Sequence, residues 1–206
     1  MSLDPSLLNK FLRVTEFAAY GGYKCVGKND KNLADKNAVD MMRNELNKID
    51  IDGTVVIGEG EMDEAPMLYV GEKVGTGRGI KVDIALDPIE GTNMVAKNLP
   101  NAFSMIAVAE KGNLFSAPDT YMEKIAIGPN LPKNIIDLDY DVQTNIKNLS
   151  KAMKKDVKNL TACILKRPRH EKIIDELKKM GVNIKFINDG DVFGAILVAD
   201  KSSPID

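Results

Sequence analysis

The chain has 206 residues, 44% apolar and 28% charged, a balance suited to a soluble globular protein with a buried core. With 28 basic against 30 acidic side chains it carries a net charge of -2, so no overall basic field exists to hold a nucleic acid. The start MSLDPSLLNK lacks a signal-peptide pattern, and no window of about 18 apolar residues could span a membrane, so a cytoplasmic location is expected.

Apolar residues at helical spacing (Leu7, Leu8, Phe11, Leu12, Val14) predict a first helix over Ser6 to Tyr20, ended by Gly21-Gly22. Cys25 and Cys163 lie far apart in apolar settings and read as buried free thiols of a reducing compartment. A second amphipathic helix is expected over Lys36 to Ile49, with Asp30 as a cap or loop residue and Asp35 just ahead of the helix. TVVIG (Thr54 to Gly58) and VDIAL (Val82 to Leu86) read as short buried strands. AFSMIAVAEKGNLFSA reads as two strands joined at Lys111-Gly112-Asn113. The proline- and glycine-bearing stretch Ile127 to Asn134 suggests a boundary, dividing the chain into residues 1–128 and 129–206. Beyond it helix and strand alternate: Asp141 to Met153, TACIL, His170 to Met180, NIKFI, and Asp191 to Val198, followed by a loop-like tail. The expected fold class is therefore α/β, with layered helices and sheets in two subdomains.

Acids recur where the strands of the first half end. Glu59, Glu61, Asp63 and Glu64 crowd into GEGEMDEAPM after the first strand, and Asp87 and Glu90 follow the second. Asp63 and Glu64 precede a helix-like run and suit its dipole. Asp87 and Glu90 are harder to dismiss as solvated loop charge. Two carboxylates at the mouth of a buried strand repel each other and resist desolvation, so a shared cation is the natural complement. Hard oxygen ligands suit Mg²⁺ or Mn²⁺. Zinc fits poorly, with one histidine and two scattered cysteines. That histidine, His170, reads as structural or as a secondary phosphate contact.

The segment DPIEGT resembles the Asp-Pro-x-acid-Gly-Thr signature of lithium-sensitive phosphatases, a superfamily of inositol monophosphatases and fructose bisphosphatases. Together with RVTEFAAYGGYK, DKNLADKNAVDMMR, IDGTVVIGEGEMDEAPMLYVGEKVGTGRG, APDTYMEKIAIGP, RPRH and DGDV, it resembles the class II fructose-1,6-bisphosphatases of bacteria, in the family's order. The resemblance implies a sugar-phosphatase fold and a two-metal site using Mn²⁺ or Mg²⁺. It implies hydrolysis of fructose 1,6-bisphosphate in gluconeogenesis by a metal-activated water.

Residue by residue, the resemblance makes Asp35 and Glu59 ligands of one metal and Asp87 and Glu90 ligands of the other. Thr92 resembles the threonine that orients the attacking water, for which Asp35 or Glu59 could take the proton. The Glu90-Gly91-Thr92 turn contacts the departing phosphate, and Tyr121 resembles a substrate contact. Arg167, Pro168 and Arg169 match a Lys-Pro-Arg segment that grips the distal phosphate, with arginine standing where the family carries lysine. Taken alone, KRPRH reads more readily as a surface basic cluster. Asp189, Gly190 and Asp191 match an Asp-Gly-Asp that holds sugar hydroxyls. The family also continues past Asp206 through a Gly-Gly-Ala-Pro-Glu-Gly stretch that supplies a further metal-ligating glutamate, so the chain reads as shortened. Sedoheptulose 1,7-bisphosphate or an inositol phosphate are alternative substrates, and a non-catalytic metal- or phosphosugar-binding remnant is the alternative of another class. A homo-oligomer, with no nucleic-acid or membrane partner, completes the expectation.

Overall fold

The computed structural model describes residues 4–58, 67–116 and 120–206. It divides into two compact units, Met1–Thr120 and Tyr121–Asp206, the division falling ahead of the Ile127 to Asn134 stretch. Both units mix helix and sheet, as an α/β fold requires. Among the described residues no helix is long and apolar enough to cross a membrane.

In the first unit, helix α1 spans Pro5–Tyr23 and helix α2 spans Lys31–Leu46. Each begins at an aspartate whose carboxylate accepts a backbone N–H: Asp4 from Ser6 at 2.8 Å and Asp30 from Leu33 at 2.9 Å. The cap at Asp30 starts α2 five residues earlier than the hydrophobic spacing alone suggests. It places Asp35 inside the helix instead of ahead of it.

Helix α1 does not stop at Gly21-Gly22. It runs through both, because these glycines are contact points instead of terminators. A Cβ on Gly21 would lie 2.5 Å from the Asn37 carbonyl oxygen of α2, and one on Gly22 would lie 2.4 Å from Ile89 Cδ1. Close approach of two helix backbones outweighs a helix-propensity cost of about 1 kcal/mol per glycine. Accordingly, Gly21→Ala should destabilise the protein by about 1–3 kcal/mol through overpacking. An exposed helical glycine would instead gain stability, so a raised urea midpoint in the variant would contradict the packing role.

A four-stranded sheet lies against these helices in the order β2-β1-β3-β4, formed by β1 (Ile51–Ile57), β2 (Lys73–Val74), β3 (Ile80–Glu90) and β4 (Phe103–Glu110). Strands β1 and β3 are parallel, and the other two pairings are antiparallel. Val55 sits opposite Ile84, which sits opposite Val108, so these side chains share one face. That face meets Phe11, Val14, Val39, Met42 and Leu46 of the helices in one apolar core.

Two strand expectations change. Strand β3 does not end at Leu86 but continues through Asp87, Pro88, Ile89 and Glu90. Among the described residues, the second strand expected directly after Lys111-Gly112-Asn113 is not formed: the chain turns at Lys111-Gly112, and residues 113–116 lie outside any strand, with Phe115 largely exposed. The turn is held from below, where Gly112 N donates to the buried Asp83 carboxylate at 2.5 Å.

In the second unit, α4 (Val142–Met153), β5 (Thr161–Leu165), α5 (Glu171–Met180), β6 (Asn183–Ile187) and α6 (Asp191–Leu197) follow the expected alternation closely. Strands β5 and β6 pair in parallel, from Thr161 opposite Asn183 to Leu165 opposite Ile187. Leu149, Leu160, Leu177 and Val182 centre the core between the sheet and α4 and α5. The segment after α6 has no regular structure but is anchored. The Asp206 carboxylate accepts Lys155 Nζ at 2.6 Å and Thr161 N at 2.9 Å.

Candidate functional site

In the first unit the construction starts at the end of β3. Asp87 pairs with Met105 and Glu90 with Phe103, so three steps along β3 match two along β4. That mismatch is a β-bulge. Pro88, which has no N–H to give a neighbouring strand, falls within it. In a regular strand, residues three apart point to opposite faces. Met105 and Phe103 are two apart on β4 and share a face, so the extra residue brings Asp87 and Glu90 to one face as well. The bulge thus converts an odd spacing into a pair of acids.

Gly91 then turns the chain at φ 90°, a left-handed conformation that glycine adopts without penalty, and leads into the short helix α3 (Thr92–Ala96). Thr92, its first residue, is half-buried. Helix α2 packs against both α3 and β3 and carries Asp35. One oxygen of Asp35, Oδ1, is shut off from solvent and has no hydrogen-bond partner. Burial therefore raises the Asp35 pKa above the ordinary aspartate value. Leaving such an oxygen unsatisfied costs about 1–3 kcal/mol, more when ionised, and a cation is one way to offset it.

Glu59, with Glu61, Asp63 and Glu64, lies outside the described residues. Among the described residues, no three His, Cys, Asp or Glu side chains are grouped to hold a metal ion. The fit to a divalent cation therefore rests on donor chemistry: the half-buried Asp35, Asp87 and Glu90, all hard oxygen ligands, one with an orphaned buried oxygen.

In the second unit, the segments flagged in the sequence emerge side by side. Arg167, Pro168 and Arg169 follow the carboxyl end of β5, while Asp189, Gly190 and Asp191 follow the carboxyl end of β6. The strands are parallel neighbours, and Lys166 N donates to Ile187 O at 2.9 Å just beyond the ladder. Loops at the carboxyl ends of parallel strands are where such sheets usually bind ligands.

Pro168–His170 forms a single 3-10 turn, and His170 Nδ1 donates to the Leu165 carbonyl at 2.8 Å, folding it back on its strand. Nδ1 of the lone histidine thus serves the fold of this turn. The arginines face different partners: Arg167 Nη1 donates to Lys166 O at 3.3 Å, while the Arg169 guanidinium lies 4.2 Å from the centre of the Tyr121 ring. Arg167 also lines a groove of about 550 Å³ with Lys166, Pro168, Lys178 and Phe186. Gly190 is buried at φ 78° and starts α6. Asp191 forms an ion pair with Lys124. Lys124 stands within APDTYMEKIAIGP, and its basic side chain three residues after Tyr121 is the only signal the sequence offers for it.

The comparisons with known proteins bear on both units. A family model described as "Bacterial fructose-1,6-bisphosphatase, glpX-encoded" matches residues 5–206. The chain is 52% identical over 197 residues to fructose-1,6-bisphosphatase 1 class 2 of Escherichia coli, covering 96% of this chain and 58% of that protein. It is similarly 52% identical to fructose-1,6-bisphosphatase class 2 of Shigella flexneri, with the same coverage. To fructose-1,6-bisphosphatase class 2 of Haemophilus influenzae it is 45% identical over 204 residues, covering 99% of this chain and 61% of that protein. The chain thus spans about three-fifths of the length of these relatives.

Proposed function

The chain belongs to the glpX-encoded bacterial fructose-1,6-bisphosphatase family, and from that premise we propose that it hydrolyses fructose 1,6-bisphosphate to fructose 6-phosphate and phosphate. The observation that carries the proposal is the bulge that turns the family signature into a pair of acids followed directly by Thr92. A phosphate monoester is doubly negative and repels an incoming water oxygen. Divalent cations, Mn²⁺ or Mg²⁺ when bound, neutralise that charge and lower the pKa of the attacking water.

Asp87 and Glu90 would hold one cation, and Asp35 with Glu59 the other. The Thr92 hydroxyl orients the attacking water, and Asp35 or Glu59 accepts its proton. The backbone of the Glu90-Gly91-Thr92 turn meets the phosphate that leaves. In the second unit, Arg167 and Arg169 offer planar guanidinium donors for the distal phosphate, positioned by Pro168. Asp189 and Asp191, on either side of Gly190, accept from sugar hydroxyls, and Tyr121 packs against the sugar. Two free thiols support a reducing, cytoplasmic setting. The exposed Leu8, Leu12 and Tyr23 of α1 support self-association.

The reading is tested by phosphate release across a substrate panel with Mn²⁺, Mg²⁺ or a chelator. Turnover should require the cation and favour sugar bisphosphates over fructose 6-phosphate or an inositol monophosphate. Thr92→Ala should lower kcat by about 10²–10⁴-fold at nearly unchanged KM. Equal turnover by that variant would remove the water-orienting role, and binding without any turnover would favour a phosphosugar-binding protein.

A further inference from the structure

Residues 120–126 have no regular secondary structure, yet two of their side chains reach both loops at the carboxyl ends of β5 and β6. The Tyr121 ring lies against the Arg169 guanidinium after β5. Lys124 pairs with Asp191 after β6, through Asp191 Oδ2. Two side chains three positions apart therefore tie together two loops that the parallel register already sets side by side.

The pair is open to solvent on one side, Lys124 being 64% exposed and Asp191 34%. Exposed ion pairs contribute only about 0–1 kcal/mol to folding, so this one is a poor source of stability. Its effect is local. With Oδ2 paired to the ammonium, the Asp191 carboxylate is biased toward one orientation, with Oδ1 left to accept a hydroxyl. Its negative charge, unfavourable beside a phosphorylated sugar, is also offset.

We propose that Lys124 is a positioning residue of the sugar site: its ion pair with Asp191, in the same segment that lays Tyr121 on Arg169, holds the Asp-Gly-Asp loop in its binding orientation. The proposal rests on the reading of Asp191 as a sugar contact.

The test compares the parent chain with Lys124→Met and Lys124→Arg, using hydrogen exchange without ligand and calorimetric titration with fructose 6-phosphate. Lys124→Met should speed exchange at 120–126 and at 188–193 together and weaken fructose 6-phosphate binding by about three- to fivefold. Lys124→Arg, which keeps charge and donors, should restore both, and all three proteins should share one thermal midpoint. Unchanged exchange at 188–193 in Lys124→Met, or parental affinity in that variant, would overturn the proposal. A parent chain that bound no sugar phosphate but showed the coupled exchange would remove the sugar reading and still support Lys124 as the group that orients Asp191.

Discussion

Asp87→Asn should reduce kcat/KM for fructose 1,6-bisphosphate by about 10³-fold or more, with little change in thermal midpoint. The substitution is nearly isosteric, so the bulge formed with Met105 and Phe103 should survive. What it removes is negative charge at a position where one carboxylate oxygen is shut off from solvent. A cation's stabilisation of a phosphoryl transition state amounts to several kcal/mol. At about 1.4 kcal/mol per factor of ten, losing roughly 4 kcal/mol of it gives the stated factor. Saturating Mn²⁺ should recover only part of the loss, because the amide offers a weaker ligand. A variant within tenfold of the parent would remove Asp87 from the proposed metal site.

The largest effect on stability should come from Arg43. Its Nε donates to Glu72 Oε1 at 2.7 Å, and its Nη2 donates to Glu72 Oε2 at 3.1 Å and to the Met67 carbonyl at 2.6 Å. The side chains of Arg43 and Glu72 are only 24% and 11% exposed. The hydrogen bond to Glu72 holds the Arg43 pKa above its ordinary value. Arg43→Ala would strand the Glu72 carboxylate in the first unit without this partner, a change that costs about 3–5 kcal/mol. Urea unfolding should show the loss as a lower midpoint. Arg43→Lys should recover only part of it, since a single ammonium cannot reproduce the two-pronged contact. A loss below about 1 kcal/mol would mean the pair behaves as a surface ion pair.

How much of this could be read from the sequence differs between the two units. In the second, α4, β5, α5 and β6 announce themselves through periodicity and caps, Asp141 accepting from Thr144 N at the start of α4 as an N-cap should. In the first, the errors share a cause: residues that punctuate chains locally were used for tertiary purposes. Pro88 reads as a strand stop, but in the fold it occupies a bulge through which β3 continues. Gly21 and Gly22 read as a helix stop, but they are the contact where α1 meets Asn37 and Ile89. Apolar spacing alone puts Asp35 ahead of its helix, whereas the cap at Asp30 starts the helix earlier and encloses it.

The chemistry was more legible than the geometry. Asp87, Glu90 and Thr92 stand in a recognisable signature, yet their common arrangement depends on a register shift against β4 that no local pattern encodes. The same holds for the Arg-Pro-Arg and Asp-Gly-Asp segments, whose adjacency follows from the parallel pairing of β5 and β6. Lys124 is the clearest case, since its proposed role lies only in its pairing with Asp191, 67 residues away in the chain.

The most direct test is anomalous diffraction at the manganese edge from crystals of the protein grown with Mn²⁺. The expected result is a peak within bonding distance of the Asp87 and Glu90 carboxylates, lost in Asp87→Asn crystals. Manganese bound only at other groups, with both carboxylates left to water, would contradict it.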